Sequence, residues 1–316
     1  MPVNVSPYLL LCLTNLFWSL NFIIGKLLAG VIPTSTLSFL RWLPPFIFFL
    51  LLYGRDLHEQ RHFFKKHILL ILVLGATGYS LNSICVYEAV RFTTTINTSF
   101  INAFNPVLIA LAGFIMYRYP VSRRQGLGFL LSLVGVLFII FKGEIVRILD
   151  LQVNIGDLFM VGSIALWAVH TIVYKNRASL LPGKAIFPLM MLAGLIVTFP
   201  LALTECLADN WAWTSQVQAR HLIGVLALNI FPSVLAYMFW NQALTSIPAN
   251  QVAIFQYLIP VYTTLISVTF LGEHLRVFHL VGGGLIFVGV LLVTNNRLSW
   301  QNLLKRLAGL VQSVRN

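Results

Sequence analysis

Charge is scarce in this chain. Asp, Glu, Lys and Arg make up 9% of its 316 residues while 58% are apolar, whereas a soluble domain is roughly 25% charged. So few charged groups cannot clothe a water-soluble globule, and that class is excluded. No hydrophilic block is longer than residues 55–67, which leaves no room for a separate catalytic or nucleotide-binding domain. A Walker motif is missing, so direct ATP hydrolysis is not expected. The three cysteines, Cys12, Cys85 and Cys206, lie in or beside apolar runs without CxxC spacing, so neither a disulfide framework nor a metal site is supported. No GxSxG, HExxH or paired intramembrane aspartates occur, which argues against the clustered nucleophile, base or metal ligands of an intramembrane enzyme. No cofactor is implied.

Long apolar runs fill the remainder. A hydrocarbon core about 30 Å thick needs roughly 20 apolar residues per helix, and hydropathy with turn residues places ten helices near 7–29, 34–53, 68–89, 94–117, 125–141, 156–174, 186–206, 221–241, 250–271 and 278–295. Every backbone amide in lipid must be paired within its own segment, and barrel strands would be half as long, so the fold is expected to be an all-α integral membrane protein.

The formal charge of +12 is spread over short loops and forms no nucleic-acid surface; topology explains it better. Arg55, Arg61, Lys65, Lys66, Arg118, Arg123, Arg124, Lys175, Arg177, Lys184, Arg297, Lys305, Arg306 and Arg315 fall on the side of the N-terminus, against Lys26, Arg91, Lys142, Arg147, Arg220 and Arg276 opposite, with Arg41 inside a span. Both termini are therefore expected in the cytoplasm. The N-terminal MPVNVSPYLL has no basic n-region and reads as an uncleaved span. The tail 298–316 carries leucines and valines at helical spacing among Lys305, Arg306 and Arg315, a basic amphipathic segment suited to an anionic membrane surface.

The chain repeats itself about 150 residues on. FWSLNFIIGK at 17–26 aligns with LWAVHTIVYK at 166–175, Pro106 with Pro260, Gly128 with Gly282, and GVL at 135–137 with GVL at 289–291. Each half holds five spans, an odd number, so the second half enters the membrane from the other side and the halves are inverted repeats. The expected division is 1–145, 153–297 and the tail 298–316.

These residues resemble a known family. FWSLNF in the first span, SFLRW in the second, PSVLAYMFWNQAL in the eighth, YLIPVYTTLISVTFLGE in the ninth and GGGLIFVGVLL in the tenth are similar to the ten-helix EamA-type branch of the drug/metabolite transporter superfamily. The resemblance covers nearly the whole chain and implies a carrier of the bacterial cell inner membrane, often an exporter of amino acids or related metabolites, with its pathway between the halves. One departure stands out, because Gly272-Glu273 is matched by Arg118-Tyr119 in the first half.

Polar side chains at membrane depth face the bundle interior or a wet cavity, and they mark the expected substrate-binding residues. Thr98, Asn102 and Asn105 lie at i, i+4 and i+7 before Pro106, and Gln256 stands before Pro260 as Asn102 does before Pro106. Trp18 with Asn21 is matched by Trp167 with His170; the third span adds Tyr79 and Asn82, and the eighth Ser233, Tyr237 and Trp240. Helix–helix bonding and packing are the competing roles for these groups. His170, the histidine deepest in a span, is either a proton carrier or a neutral imidazole bonded to a neighbouring helix. An arginine at the depth of Arg41 must pair, snorkel or face water. An ion pair with Glu88 or Glu273 as an outer gate, a structural clamp, and capture of a substrate carboxylate are the three readings.

Such a lining suits a neutral or zwitterionic small molecule. The expected protein is a secondary transporter that moves a small-molecule substrate across a lipid bilayer as a monomer or homodimer, without nucleic acid partners. An intramembrane enzyme and a non-transporting receptor or assembly protein are the alternatives.

Overall fold

The computed structural model describes residues 6–59, 66–144, 153–177, 186–246 and 255–294. The described residues contain helices and no strand: α1 (Pro7–Leu28), α2 (Thr34–Glu59), α3 (Ile68–Phe92), α4 (residues 95–117), α5 (Arg123–Ile140), α6 (Ile155–Arg177), α7 (Ile186–Ala208), α8 (residues 219–246), α9 (Phe255–Phe270) and α10 (Val277–Thr294). Seven are long and apolar enough to cross a membrane one by one, the bent α4 makes an eighth, and α9 and α10 are shorter apolar helices. Side chains such as Leu51, Phe270 and Val277 are exposed on the outside of the bundle, as a lipid-facing surface requires. The tail 298–316 and several of the basic loop residues lie outside the described residues.

Local chemistry sets the ends and breaks. Ser122 and Gln125 close a capping box at the start of α5, and Thr94 accepts the Asn97 amide at the start of α4, satisfying amides that have no partner inside the helix. Proline accounts for the bend of α4. Pro106 has no N–H for the carbonyl four residues back, and the helix breaks into Thr95–Asn102 and Asn105–Tyr117 at an angle of 43°.

Two π-helical turns sit at matching places in the halves, Ala76–Ser80 in α3 and Asn229–Leu235 in α8. In α8 the cause is Pro232: it has no N–H to give the Leu228 carbonyl, so the bonding shifts to the five-residue spacing of a π turn, and the Ser233 hydroxyl also donates to that carbonyl at 2.9 Å. In α3 no proline is present; Gly75 and Gly78 instead let the backbone approach α7 and the His170 ring.

Packing reveals the symmetry. A Cβ on Gly128 would stand 2.6 Å from the Gly289 carbonyl, and one on Gly135 2.6 Å from the Gly282 carbonyl, so α5 and α10 run antiparallel at close backbone approach. Gly128 is the repeat counterpart of Gly282, and Gly135 of Gly289. Each position thus meets the counterpart of the other, the self-complementary contact that a two-fold axis generates. The other helices obey the same exchange: α1 packs on α8 and α9, whereas α6 packs on α3 and α4. The halves are inverted copies.

Candidate functional site

Between the halves lies a cavity of about 130 Å³. Its wall takes Trp18 and Asn21 from α1, Arg41 and Trp42 from α2, Asn82 and Ser83 from α3, Asn102 and Asn105 from α4, Trp167 from α6, Tyr237 from α8, and Gln256 and Tyr257 from α9. Nine of the residues singled out from the sequence therefore meet at one place: Trp18, Asn21, Arg41, Asn82, Asn102, Asn105, Trp167, Tyr237 and Gln256.

Proline sets the chemistry of the two amide positions. Asn102 and Gln256 each precede a proline by four residues, so each has a side-chain amide and a main-chain carbonyl with no helical N–H of its own at the cavity wall. Asn105 follows the break in α4; it is buried, and its Oδ1 has no hydrogen-bond partner among the described residues. An acceptor left in that condition needs a donor.

Arg41 is the cation of the site. It is 6% exposed, and its Nε donates to Ser233 Oγ at 3.1 Å and its Nη1 to Tyr87 OH at 3.2 Å. Its guanidinium carbon stands 4.8 Å from the centre of the Trp42 ring. Tyr87 OH in turn donates to Asn21 Oδ1 at 3.3 Å. Every one of these partners is neutral. Glu88 and Glu273 do not pair with Arg41, and the expected outer-gate ion pair is corrected. Each carboxylate has nearer partners. Glu88 accepts from Thr34 Oγ1 at 2.6 Å and stands 3.8 Å from Arg91 in an ion pair one helical turn long. Glu273 accepts from the amides of Thr95 and Ile96 at 2.8 and 3.0 Å.

Five other expected lining residues stand outside the wall. His170 donates Nδ1–H to the Leu74 carbonyl at 3.0 Å, stacks on Trp167 at 5.1 Å and is pressed against Gly78; it fills the joint between α6 and α3. Tyr79 lies edge-on to Trp42 with ring centres 4.8 Å apart. Thr98 turns its hydroxyl to the Thr95 carbonyl at 2.8 Å in its own short helix. Ser233 reaches the site through Arg41. Trp240 packs on Trp18 at 5.0 Å and supports that ring from behind.

Other groups emerge only in three dimensions. At the end of the bundle where α2 and α4 begin, Glu205 of α7 accepts from the amides of Ser35 and Thr36 at 3.1 and 3.0 Å. Glu205 and Glu273 thus each fasten a helix N-terminus of the first half from the second half, where carboxylates are favoured by unpaired amides and the helix dipole. Nearby, buried Asp157 accepts from Thr93 Oγ1 at 2.7 Å and from Asn97 Nδ2 at 3.3 Å, and His279 Nε2 contacts Asn97 Oδ1 at 2.7 Å. Asp157 is visible in the sequence as a carboxylate at the head of an apolar run. Glu205 lies at the tail of another, inside the span expected at 186–206.

Comparison with known proteins agrees with this architecture. The model of the EamA-like transporter family matches residues 5–141 and again 154–295. An uncharacterized transporter of Archaeoglobus fulgidus is 28% identical over 92% of this chain and 98% of its own length. The uncharacterized transporter YyaM of Bacillus subtilis is 23% identical over 91% of this chain and 93% of its own. A crystal structure, 18% identical, shares the fold with a TM-score of 0.59 over 92% of this chain and 97% of that one. Two family matches, inverted halves and a helical membrane bundle lead to one conclusion: the chain belongs to the EamA-like transporter family and is a multi-pass membrane transporter.

Proposed function

We propose that this transporter exports small neutral or zwitterionic metabolites, amino acids and their close relatives foremost, by alternating access. The two halves, 1–145 and 153–297, rock about the central cavity in the bacterial inner membrane with both termini in the cytoplasm, and the tail 298–316 lies on the inner leaflet.

The observation that carries this reading is the buried guanidinium of Arg41 at the cavity wall with neutral partners alone. A buried cation without a counter-ion is costly, and a planar donor fork suits a carboxylate. The same cavity offers acceptors for an ammonium group: Asn105 Oδ1 and the carbonyls freed by Pro106 and Pro260. Aromatic walls at Trp18 and Trp167 accept an apolar side chain. In the proposed orientation Glu205 and Glu273 fasten the periplasmic end, which is the closed end of a carrier ready to load from the cytoplasm.

The test is flux through proteoliposomes carrying the purified chain. Saturable counterflow of an amino acid, lost when Arg41 is replaced by Gln, is the expected result. Solute turnover without vesicle sidedness would identify an enzyme instead, and absence of both would sink the reading.

A further inference from the structure

Beside the polar cavity is a second chamber of a different character. It measures about 410 Å³, roughly three times the volume of the first, and its wall is almost wholly apolar. Phe100, Val261, Leu265, Leu280 and Phe287 line it between the bend of α4 and helices α9 and α10. Val261, Leu265 and Leu280 are among the exposed residues on the outside of the bundle, so the chamber opens toward the acyl-chain region of the membrane.

The two spaces share Ala103 and Tyr257 as common wall. Ala103 is the smallest side chain that could stand there with a Cβ, and it sits at the break in α4. Tyr257 packs edge-on against Phe287 with ring centres 4.9 Å apart, and its hydroxyl is shielded yet has no hydrogen-bond partner among the described residues. A phenol buried without a partner is unfavourable. It lies where a polar head on one side and an apolar tail on the other would meet.

We infer that cargo is held in two parts, with its carboxylate head in the Arg41 cavity and an apolar tail of several carbons passing Ala103 and Tyr257 into the side chamber. The inference deepens the carrier reading above and rests on it; it narrows the cargo to 2-amino acids with extended apolar side chains. The two spaces abut, divided only by Ala103 and the Tyr257 ring, and this closeness argues for the cargo's own tail as the occupant, entering as that ring turns aside.

The experiment measures counterflow of radiolabelled leucine into proteoliposomes of the full-length chain, competed by straight-chain 2-amino acids of three to ten carbons. In the natural chain the inhibition constant should fall by up to about fourfold per added methylene, the ratio set by burial of one CH₂, until the chamber is full. In Leu265→Trp, and separately in Leu280→Phe, the ratio between the longest and shortest competitor should collapse by at least tenfold. Because that ratio is taken within each variant, lipid partitioning and loss of active protein cancel. Inhibition that is flat with chain length in the natural chain would overturn the two-part site. So would an undiminished ratio in both variants, including the case in which all competitors weaken together, which marks a lipid-filled or purely structural chamber. No leucine counterflow at all would instead overturn the amino-acid reading on which the inference stands.

Discussion

The first half and the second half of the bundle share a backbone and differ in chemistry. Both place an amide four residues before a proline, Asn102 before Pro106 and Gln256 before Pro260, and both amides reach the cavity. The pairs in α1 and α6 part company. Asn21 faces the cavity and takes a hydrogen bond from Tyr87, whereas His170, its repeat counterpart, is held by the Leu74 carbonyl against Gly78. Arg41 is present in one half alone at this wall. Symmetry therefore builds the frame and the hinge chemistry, while departures from it give the site a direction: a cation on one side, acceptors on the other. Such a site suits a solute whose two ends differ.

Removing the largest asymmetry should have the largest effect. Arg41→Gln is expected to lower the transport efficiency for carboxylate-bearing solutes about 100-fold, the lower range for losing one member of a buried charge-assisted contact, with Arg41→Lys recovering part of it because a point charge cannot reproduce the planar fork; counterflow kinetics measure both. Breaking the symmetric pair comes next. Asn102→Leu and Gln256→Leu should each cost about tenfold, the worth of one hydrogen bond to a polar ligand, and a double variant that is no worse than either would show that they contact the same ligand group. Smaller again is the clasp between halves. Glu205→Gln and Glu273→Gln should each destabilise the closed end by about 1 kcal/mol, read as faster labelling of a cysteine placed at Ser35 or Ile96. The smallest effect belongs to His170→Gln, which should leave the transport rate and its pH dependence within about twofold, since a side chain capable of donating to the Leu74 carbonyl is kept and the group is off the cavity wall. A pH profile that flattens in this variant would return His170 to the mechanism.

The fold was legible because lipid leaves few choices. Unbroken apolar runs must become helices, and an odd number of them per repeat forces inversion. The amide–proline pairs were legible too, since a missing N–H is a property of the sequence. The facing of each side chain could not be read once a helix departs from 3.6 residues per turn. The π turns at residues 76–80 and 229–235 and the break after Asn102 change the angular position of the side chains around them, and Tyr79, inside the first π turn, lost the cavity on that account. Partners distant in sequence were equally hidden: nothing in the spacing of Glu205 announces the amides of Ser35 and Thr36, and nothing beside Arg41 announces Ser233 and Tyr87.

A direct measurement addresses whether Asn102 and Gln256 line one solute path between inverted halves. Cysteine is placed at either position in a chain whose Cys12, Cys85 and Cys206 are replaced by serine or alanine, and a membrane-impermeant thiol reagent is applied from one side of the vesicle at a time. Both positions should label from the same side in a given state, and saturating cargo should protect both. Labelling of the two positions from opposite sides in one state, or labelling that cargo does not slow, would contradict a shared path.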